Sequence, residues 1–216
     1  MAIRQSFILG MINKLSDTFG RIFVGGSVED EESTLYEIEG ALAEVFRTRR
    51  ELLFLQPEQM IEEFDPRLLA EIGRLFLKHS ELSASQGLPQ DAQRSFALAV
   101  QCLRDGLGEP LSHTEGDSND LMRELLRSDK TLSVMTPAEM ADTWRDIFEI
   151  EARRQNYALA ENALFHAIDL ADAPEDHVRR GMRFYEVLLK LLDEVLEEGG
   201  LGRDEAEMAL AELRER

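Results

Sequence analysis

The sequence predicts an all-α fold built from antiparallel helical hairpins. Apolar residues recur three or four positions apart through most of the 216 residues, which is helical spacing. Five of the six prolines precede such a pattern, and the first position of a helix favours proline because the N–H that proline lacks has no partner there. Valine, threonine and tyrosine, which favour strands, are scarce. These features leave almost no segment for a sheet.

The first predicted helix spans residues 3–24 and carries an apolar stripe beside a polar side. We expect the stripe to pack on the next helix. Because the polar side carries Arg4, Lys14 and Arg21, the alternative is a helix that lies on a membrane surface. Polar residues interrupt its apolar run, which argues against a signal peptide. No run in the chain approaches the roughly 18 apolar residues of a transmembrane helix, so we expect no integral membrane insertion.

The rest of the chain is predicted to continue as helices separated by turn residues. Gly25-Gly26 ends the first helix, and the acidic run 29–32 opens a second that continues to about Leu55, since acidic side chains stabilise a helix N-terminus. Two later helices form a hairpin about Gly87. The helices after the second are predicted over residues 57–64, 66–86, 89–106, 137–155, 157–172, 175–198 and 203–215.

The clearest break in the helical pattern lies at residues 107–118. This segment contains Gly108, Pro110 and Gly116, residue types that interrupt helices and form turns. We predict a single domain over residues 1–216, with a hinge or a long loop at 107–118. A weakly helical segment over 118–135 follows the break.

A second hairpin is predicted over residues 136–173, and its start carries a helix-capping pattern. Thr136 is an N-cap residue, Pro137 fits the first helical position, and Glu139 is placed to complete a capping box. The second helix of this hairpin has small side chains that let another helix lie close. They are Ala160, Ala163 and Ala167.

The same hairpin resembles a tetratricopeptide repeat, in which an aromatic residue of the first helix is followed by Ala, a large apolar residue and Ala in the second. The matching residues are Trp144, Ala160, Leu164 and Ala167. Phe148 and Glu151 stand where the family usually has a Gly-Tyr pair. An earlier run with Gly87, Ala92 and Phe96 repeats the second-helix pattern. The resemblance implies hairpins stacked as a short right-handed solenoid, with a concave face lined by the first helices of its repeats.

Both ends of the chain are similar to an uncharacterised bacterial family of tetratricopeptide-like proteins. The opening run Ile3-Arg4-Gln5-Ser6-Phe7-Ile8-Leu9-Gly10-Met11-Ile12 carries one part of this similarity. The closing turn Gly199-Gly200-Leu201-Gly202-Arg203-Asp204-Glu205 carries the other. The resemblance spans nearly the whole chain and implies a fold but no activity.

Charge and cysteine content narrow the classes of partner and compartment. The formal net charge of −19 argues against nucleic acid as a direct partner, because its phosphates would be repelled. Residues 151–216 alone hold 16 acidic and 9 basic side chains. The single cysteine, Cys102, excludes an intramolecular disulfide and indicates a reducing compartment, so we expect a cytoplasmic protein. Its apolar helical surroundings favour a buried, inert thiol over a reactive one.

A search for chemical motifs predicts no catalytic, cofactor-binding or metal-binding residue. The four histidines are scattered, and no Cys–His or His–x–x–x–His spacing supports a zinc site. The run 117–120 begins like a calcium loop, but Leu121 and Met122 occupy positions that need an oxygen donor and a glycine, so helix capping explains it better. The cations Arg47, Arg49 and Arg50 lack the Gly-rich loop of a phosphate site. Trp144 is interpreted as a core residue rather than a ligand anchor.

The function that these patterns favour is a non-enzymatic helical-repeat module that binds a protein or peptide. Because the acid excess is largest beyond residue 100, we expect the partner to carry Lys and Arg around a few apolar anchors. Two alternatives stay open. One is a structural protein that assembles as a homo-oligomer. The other is a helical-bundle enzyme with carboxylate-based or metal-dependent chemistry, although the Glu-x-x-His pairs of such bundles are lacking.

Overall fold

The computed structural model describes residues 31–47, 64–112, 114 and 116–216, together with the single positions 10, 15, 17, 18, 20 and 22. The α-helices in these ranges are α1 Glu31–Arg47, α2 Pro66–Ser85, α3 Pro89–Asp105, α4 Ser118–Leu126, α5 Pro137–Arg153, α6 Tyr157–Leu170, α7 Glu175–Leu188, α8 Asp193–Glu198 and α9 Arg203–Glu215. Asp129–Ser133 forms a 3-10 helix. No strand forms within the described ranges, where Pro110 and Asp117 make an isolated antiparallel bridge. The all-helical prediction is therefore confirmed for the part of the chain that the structure describes.

The chain divides into two compact units, Met1–Ser128 and Asp129–Arg216. The predicted hinge at 107–118 lies inside the first unit and does not coincide with this division. The expectation of a single domain stays a prediction. Each unit has its own buried core, and each is built around one helical hairpin.

The first unit is organised by α2, which packs against α1 on one side and α3 on the other. Apolar side chains spaced three and four residues apart on each helix face this contact, as the periodicity predicts. Leu15 and Ile22, from the predicted first helix, pack into the same cluster. These two residues contribute to the core, while the rest of the predicted stripe lies outside the described residues. The cluster includes Leu35, Ile38, Leu42, Leu68, Ile72, Leu75, Ala99 and Cys102.

The segment after α3 is held against α2 by its own backbone. Glu71 accepts a hydrogen bond from the Ser112 N–H at 2.6 Å, and Arg74 donates to the Ser112 carbonyl at 2.6 Å. At the end of α3, a methyl group on Gly106 would lie 2.7 Å from the backbone nitrogen of Ala70. Glycine is therefore required where α3 approaches the start of α2. The predicted long loop is a fixed connection at these points.

Three helices end in the same left-handed turn. The second residue after each helix has a positive φ, +74° at Gly87, +65° at Gln155 and +78° at Gly200. The next N–H reaches back five residues to a carbonyl that the helix leaves free, as in a Schellman motif. These bonds run from Leu88 to Ser83 at 2.8 Å, from Asn156 to Glu151 at 3.0 Å and from Leu201 to Leu196 at 3.0 Å. The turns after α2 and α5 close the two predicted hairpins.

The second unit is built on the hairpin α5–α6, and its start is capped as predicted. Thr136 accepts from the Glu139 N–H, while Glu139 accepts from the Thr136 N–H at 2.8 Å. The small residues on α6 are fully buried, which lets the two helices approach closely. Trp144 is 1 % exposed and stacks on the ring of His166 with the centroids 4.5 Å apart. Trp144 is a core residue, as predicted.

The prediction of one continuous helix over 175–198 is wrong. α7 ends at Leu188 and α8 begins at Asp193. Arg203 explains the break, because its guanidinium donates to the carbonyls of Leu189 at 2.9 Å and Leu191 at 2.6 Å and pairs with Asp193. A distant side chain thus takes up carbonyls that a continuing helix would have bonded internally. Leu192, which continues the apolar spacing of α7, is 71 % exposed.

Some of the remaining sequence predictions concern described residues, and others concern residues outside the described ranges. Pro66, Pro89 and Pro137 begin helices as predicted, whereas Pro174 is the residue before α7. Most of helix 3–24, almost all of helix 57–64, the extension of the second helix to Leu55 and the opening motif lie outside the described residues. So do Arg49, Arg50 and His113.

Candidate functional site

A groove runs between α6 and α9 in the second unit. Both helices pack against α7, which leaves an open channel of about 740 Å³ between their outer faces. The channel is lined by Ala158, Glu161, Asn162, Phe165, Glu205, Met208, Ala209, Ala211, Glu212 and Glu215. On each helix these residues recur three and four positions apart, so one face of α6 and one face of α9 form the two walls.

Gly181 of α7 faces the packed side chains behind the groove. A methyl group at this position would lie 2.6 Å from a side-chain carbon of Leu213 on α9 and 2.8 Å from one of Leu164 on α6. Both contacts involve the ends of leucine side chains, which fill the space that the glycine leaves free. Leu164 and Leu213 are each 1 % exposed. The walls are therefore anchored by a dry core.

One end of the groove is fixed by the turn between α8 and α9. The Ala158 N–H at the start of α6 donates to the Gly199 carbonyl at 3.1 Å. A methyl group on Gly199 would lie 2.2 Å from the ring of Tyr157 and 2.6 Å from the Gln155 carbonyl. The closing turn identified in the sequence thus packs on the turn of the α5–α6 hairpin. This contact sets where α9 begins relative to α6.

The apolar part of the groove consists of Phe165 on α6 and Met208 on α9. Phe165 is half-buried, while Met208 is 72 % exposed. A methionine is flexible and polarisable and adapts to irregular apolar partners. Exposed side chains of this kind are suited to holding one or two apolar side chains of a bound segment.

The polar part of the groove is made of carboxylates, and Glu161 is the least solvated of them. Tyr185 is fully buried in α7 and donates its hydroxyl to Glu161 Oε1 at 2.7 Å. Burial raises the pKa of Glu161, the Tyr185 hydrogen bond opposes that rise, and the charges of Glu205 and Glu212 add to it. Burial and the same carboxylate raise the pKa of Tyr185, so its hydroxyl remains a proton donor. The groove therefore holds a negative charge in an environment that disfavours it.

Few cations of the chain neutralise this groove. No Lys or Arg of the described ranges lies within 4.0 Å of a carboxylate oxygen of Glu161, Glu205 or Glu215. Glu212 is the exception, since Arg216 pairs with it at 2.8 Å. Other arginines of this unit are paired with acids elsewhere. Arg145 pairs with Asp142, and Arg180 pairs with Glu149. The groove thus keeps uncompensated negative charge beside exposed apolar surface.

Arg216 lies against two residues of the groove lining, Phe165 and Glu212. Its guanidinium carbon lies 5.5 Å from the centroid of the Phe165 ring, over the ring face. The same group donates to Asp169 at 3.1 Å and to Glu212 at 2.8 Å. An aromatic ring and two carboxylates therefore surround one guanidinium.

The residues that the sequence singled out for chemistry have structural roles where the structure describes them. Asp117 and Asp120 form a capping box at α4, the role that the capping interpretation assigned to this run. Cys102 is buried, as predicted, and burial raises its pKa. His79 lies near Ser95, and His166 stacks on Trp144.

His177 is the one histidine of the second unit whose polar environment is incomplete in the described residues. Its Nδ1 is buried without a hydrogen-bond partner. Burial lowers its pKa, and the charge of Arg145 lowers it further. Burial and this neighbouring charge therefore disfavour the charged form of the imidazole, while Asp176 and Asp142 oppose the effect.

The groove itself was missed in the sequence, although a signal for it is present. Glu205, Met208, Glu212 and Glu215 recur at three- and four-residue spacing along α9. That spacing places three acids and one large apolar residue on one face of α9, beside the buried stripe. The binding face was expected on the first helices of the hairpins. The groove instead involves α6, the second helix of its hairpin.

Two further properties of the described residues concern metal binding and membrane insertion. No group of three or more His, Cys, Asp or Glu side chains is arranged to hold a metal ion there. Among the helices in those ranges, none combines the length and apolar character needed to cross a membrane.

Comparison with known proteins connects the chain to one family. Residues 2–216 match a family described as a family of unknown function (DUF6483). None of the curated proteins and none of the solved structures matches the chain. The expectation of an uncharacterised family is confirmed, while its tetratricopeptide-like character stays a hypothesis. Because the match covers nearly every residue, the chain belongs to this family of unknown function.

Proposed function

We propose that the groove between α6 and α9 binds a basic peptide segment of another protein. The observation that carries this proposal is the pairing of Met208 and Phe165 with three carboxylates that have no cationic partner among the described residues. Apolar side chains of the segment would cover Met208. Lys or Arg side chains beside them would neutralise Glu161, Glu205 and Glu215.

The charge of Glu161 supports a cationic ligand in particular. Its pKa is raised because burial and neighbouring carboxylates disfavour the charged form. A ligand cation in the groove would stabilise the charged carboxylate. The free energy recovered in this way would strengthen binding. The pKa of Glu161 would fall on binding, so the complex would release protons at mildly acidic pH.

The net charge of −19 supports the same kind of partner through the rate of encounter. A strongly acidic protein attracts a basic segment before contact, and dissolved salt screens that attraction. We expect the association rate to fall steeply from low to physiological salt, while the dissociation rate changes less.

The proposal is tested with a fluorescent peptide that carries alternating leucines and cations, compared with the same peptide in which glutamates replace the cations. Glu215→Lys reverses a charge inside the groove. Glu207→Lys makes the same change on an exposed position of α9 outside the groove lining. We expect Glu215→Lys to weaken binding by about tenfold and Glu207→Lys by less than about twofold, since only the former places a cation at the ligand.

Two outcomes of this titration count against the proposal. Equal losses in the two variants would mean that overall charge alone attracts the peptide. Binding of the acidic peptide with similar affinity would mean that the groove carboxylates do not select the ligand. A circular dichroism melt of each variant confirms that the helices are retained.

Self-assembly through this groove is the less favoured alternative. A second copy of the chain would bring another net charge of −19 to an acidic surface, which is repulsive at low salt. Sedimentation at rising protein concentration distinguishes the two, because a groove for basic peptides leaves the mass unchanged.

We also propose that the hairpins stack as in tetratricopeptide proteins and that the protein acts in the cytoplasm. The similar turns at Gly87 and Gln155 and the buried Ala160 and Ala167 of α6 support the first idea. The single, buried Cys102 supports the second, since a protein without disulfides needs no oxidising compartment. A crystal structure of the full chain tests the stacking, and fractionation of native cells tests the location.

A further inference from the structure

We propose that the end of the groove at Phe165 is an arginine-binding subsite that the chain's own Arg216 occupies when no partner is bound. This inference rests on the proposed function, because it names the side chain that the peptide would insert. It also adds regulation, since Arg216 and the peptide would compete for the same three groups.

The geometry of the subsite matches a guanidinium. The Arg216 group lies over the Phe165 ring at 5.5 Å, donates to Asp169 at 3.1 Å and donates to Glu212 at 2.8 Å. A planar guanidinium stacks on an aromatic face and keeps its N–H groups free at the edges for two carboxylates. A lysine ammonium has no flat face, so it satisfies these groups less completely. The subsite therefore favours arginine over lysine.

The subsite belongs to the groove. Phe165 and Glu212 line the channel and also hold Arg216, while Asp169 lies one helical turn beyond Phe165 on α6. A peptide that covers Met208 would reach Phe165 along the same wall. Its arginine would then meet the guanidinium of Arg216, and one of the two must leave.

Arg216 is held weakly enough to leave. Its side chain is 36 % exposed, and its partners Asp169 and Glu212 are 63 % and 53 % exposed. Exposed ion pairs contribute little to stability because water screens them and the long side chains lose freedom. Arg216 follows the last residue of α9. Its side chain can therefore swing away without unwinding the groove wall.

The competition predicts that removing Arg216 improves binding. The labelled leucine-containing peptide is prepared in an arginine form and a lysine form and is titrated into the full chain and two variants. Arg216→Ala empties the subsite. Arg214→Ala makes the same change in net charge at an exposed residue whose partner is Glu186, outside the groove. We expect Arg216→Ala to tighten binding of the arginine peptide about fivefold, because the binding-competent fraction rises.

The matched measurements should change little. Arg214→Ala should tighten binding of the arginine peptide by less than about twofold. Arg216→Ala should tighten binding of the lysine peptide by less than about twofold as well. A further variant, Phe165→Leu, keeps an apolar side chain but removes the aromatic face, so the preference for arginine over lysine should be lost.

Each result separates the inference from the proposed function. Equal effects of Arg216→Ala and Arg214→Ala, or no effect of either, would overturn the subsite while leaving the peptide groove intact. Weaker binding in Arg216→Ala would show that Arg216 holds the ligand, and the competition would be wrong. Failure of the unmodified chain and of every variant to bind either peptide would reject both proposals.

Discussion

The hairpins α2–α3 and α5–α6 are built alike, but their polar groups differ in the partners they have. Each begins with a proline at the first helical position and ends its first helix in a left-handed turn. The first hairpin pairs several polar groups across its own helix contact, although its Glu71 bonds to Ser112 and keeps Oε2 buried without a hydrogen-bond partner. The second carries Glu161 on α6, which has no cationic partner among the described residues. The comparison indicates that the charge of Glu161 costs the second hairpin some stability and leaves negative charge at the groove.

Several polar groups of the first hairpin have partners at its helix contact. The Nδ1 atom of His79 lies 2.9 Å from the Ser95 hydroxyl and 3.2 Å from the Ser83 hydroxyl. The Ser80 hydroxyl donates to the Ala92 carbonyl at 2.8 Å. Buried polar groups with partners cost little, and they fix the register of the two helices.

The largest effect should come from a charge placed inside either hairpin. Ala99 on α3 and Ala160 on α6 are both fully buried. A glutamate at either site would bury an unpaired carboxylate in the space of a methyl group, so Ala99→Glu and Ala160→Glu should each cost on the order of 3 kcal/mol. Ala43→Glu, on an exposed position of α1, should be nearly neutral. Urea denaturation measures all three. A tolerated glutamate in one hairpin would show that its interior is open to water.

A smaller effect should come from a substitution of Gly199, because Gly199 packs against the turn of the second hairpin. Gly87, in the turn of the first hairpin, has open space where a side chain would lie. A methyl group on Gly199 would meet the Tyr157 ring and the Gln155 backbone, whereas one on Gly87 would have no atom within 4 Å. Gly199→Ala should therefore cost about 1–3 kcal/mol through steric overlap.

Gly40 provides the control for this substitution. It lies inside α1, and a methyl group there would also have no atom within 4 Å. Gly40→Ala should stabilise the protein by about 0.5–1 kcal/mol, since alanine loses less backbone freedom than glycine in a helix. A thermal melt in which the two variants shift in the same direction would contradict the packing of the turn on Tyr157.

The two hairpin turns themselves allow a direct exchange. Gly87 and Gln155 have similar left-handed backbones, but a side chain makes that conformation costly by roughly 1 kcal/mol. Gly87→Gln should destabilise the protein by about that amount, and Gln155→Gly should stabilise it by somewhat less because glycine also loosens the unfolded chain. Chemical denaturation of both variants checks the signs. Destabilisation by Gln155→Gly would show that the glutamine side chain makes a contact worth more than the backbone strain.

Much of this fold could be predicted from the sequence because its signals are local. The capping box at Thr136, the N1 prolines and the apolar periodicity each depend on residues within one or two turns of a helix. The break between α7 and α8 could not be predicted that way. Leu189 and Leu192 continue the apolar spacing, and the side chain that ends the helix belongs to Arg203, more than ten residues further on.

The groove was hidden for a related reason. Its two walls come from α6 and α9, which are separated in sequence by two other helices. Neither wall is unusual alone, since acidic helix faces are common on soluble proteins. Only the packing of both helices on α7 brings Phe165 and Met208 to one channel. The residue spacing on α9 indicates an acidic face, but it does not show which helix lies across from that face.

The smallest expected effect tests how much stability the charge of Glu161 costs the second hairpin. Burial and nearby carboxylates raise the pKa of Glu161 above its ordinary value, so its charged form destabilises the native protein at neutral pH. Glu161→Gln removes the charge and keeps an oxygen that can accept from Tyr185. The variant should be more stable than the parent by up to about 0.5 kcal/mol at pH 8, after allowance for solvent screening.

The pH dependence gives this prediction its sign. The cost of the charge is fully present above the raised pKa of Glu161 in the folded protein and disappears below its ordinary value of about 4.3 in the unfolded chain. The advantage of Glu161→Gln should therefore shrink as the pH falls from 8 to 5 in matched urea titrations, while Glu207→Gln, an exposed control, should show no such change. A Glu161→Gln variant that is less stable at pH 8 would mean that Tyr185 requires the charged carboxylate. Glu161 would then be a structural feature of the hairpin, and the proposal that its charge is kept for a cationic partner would fail.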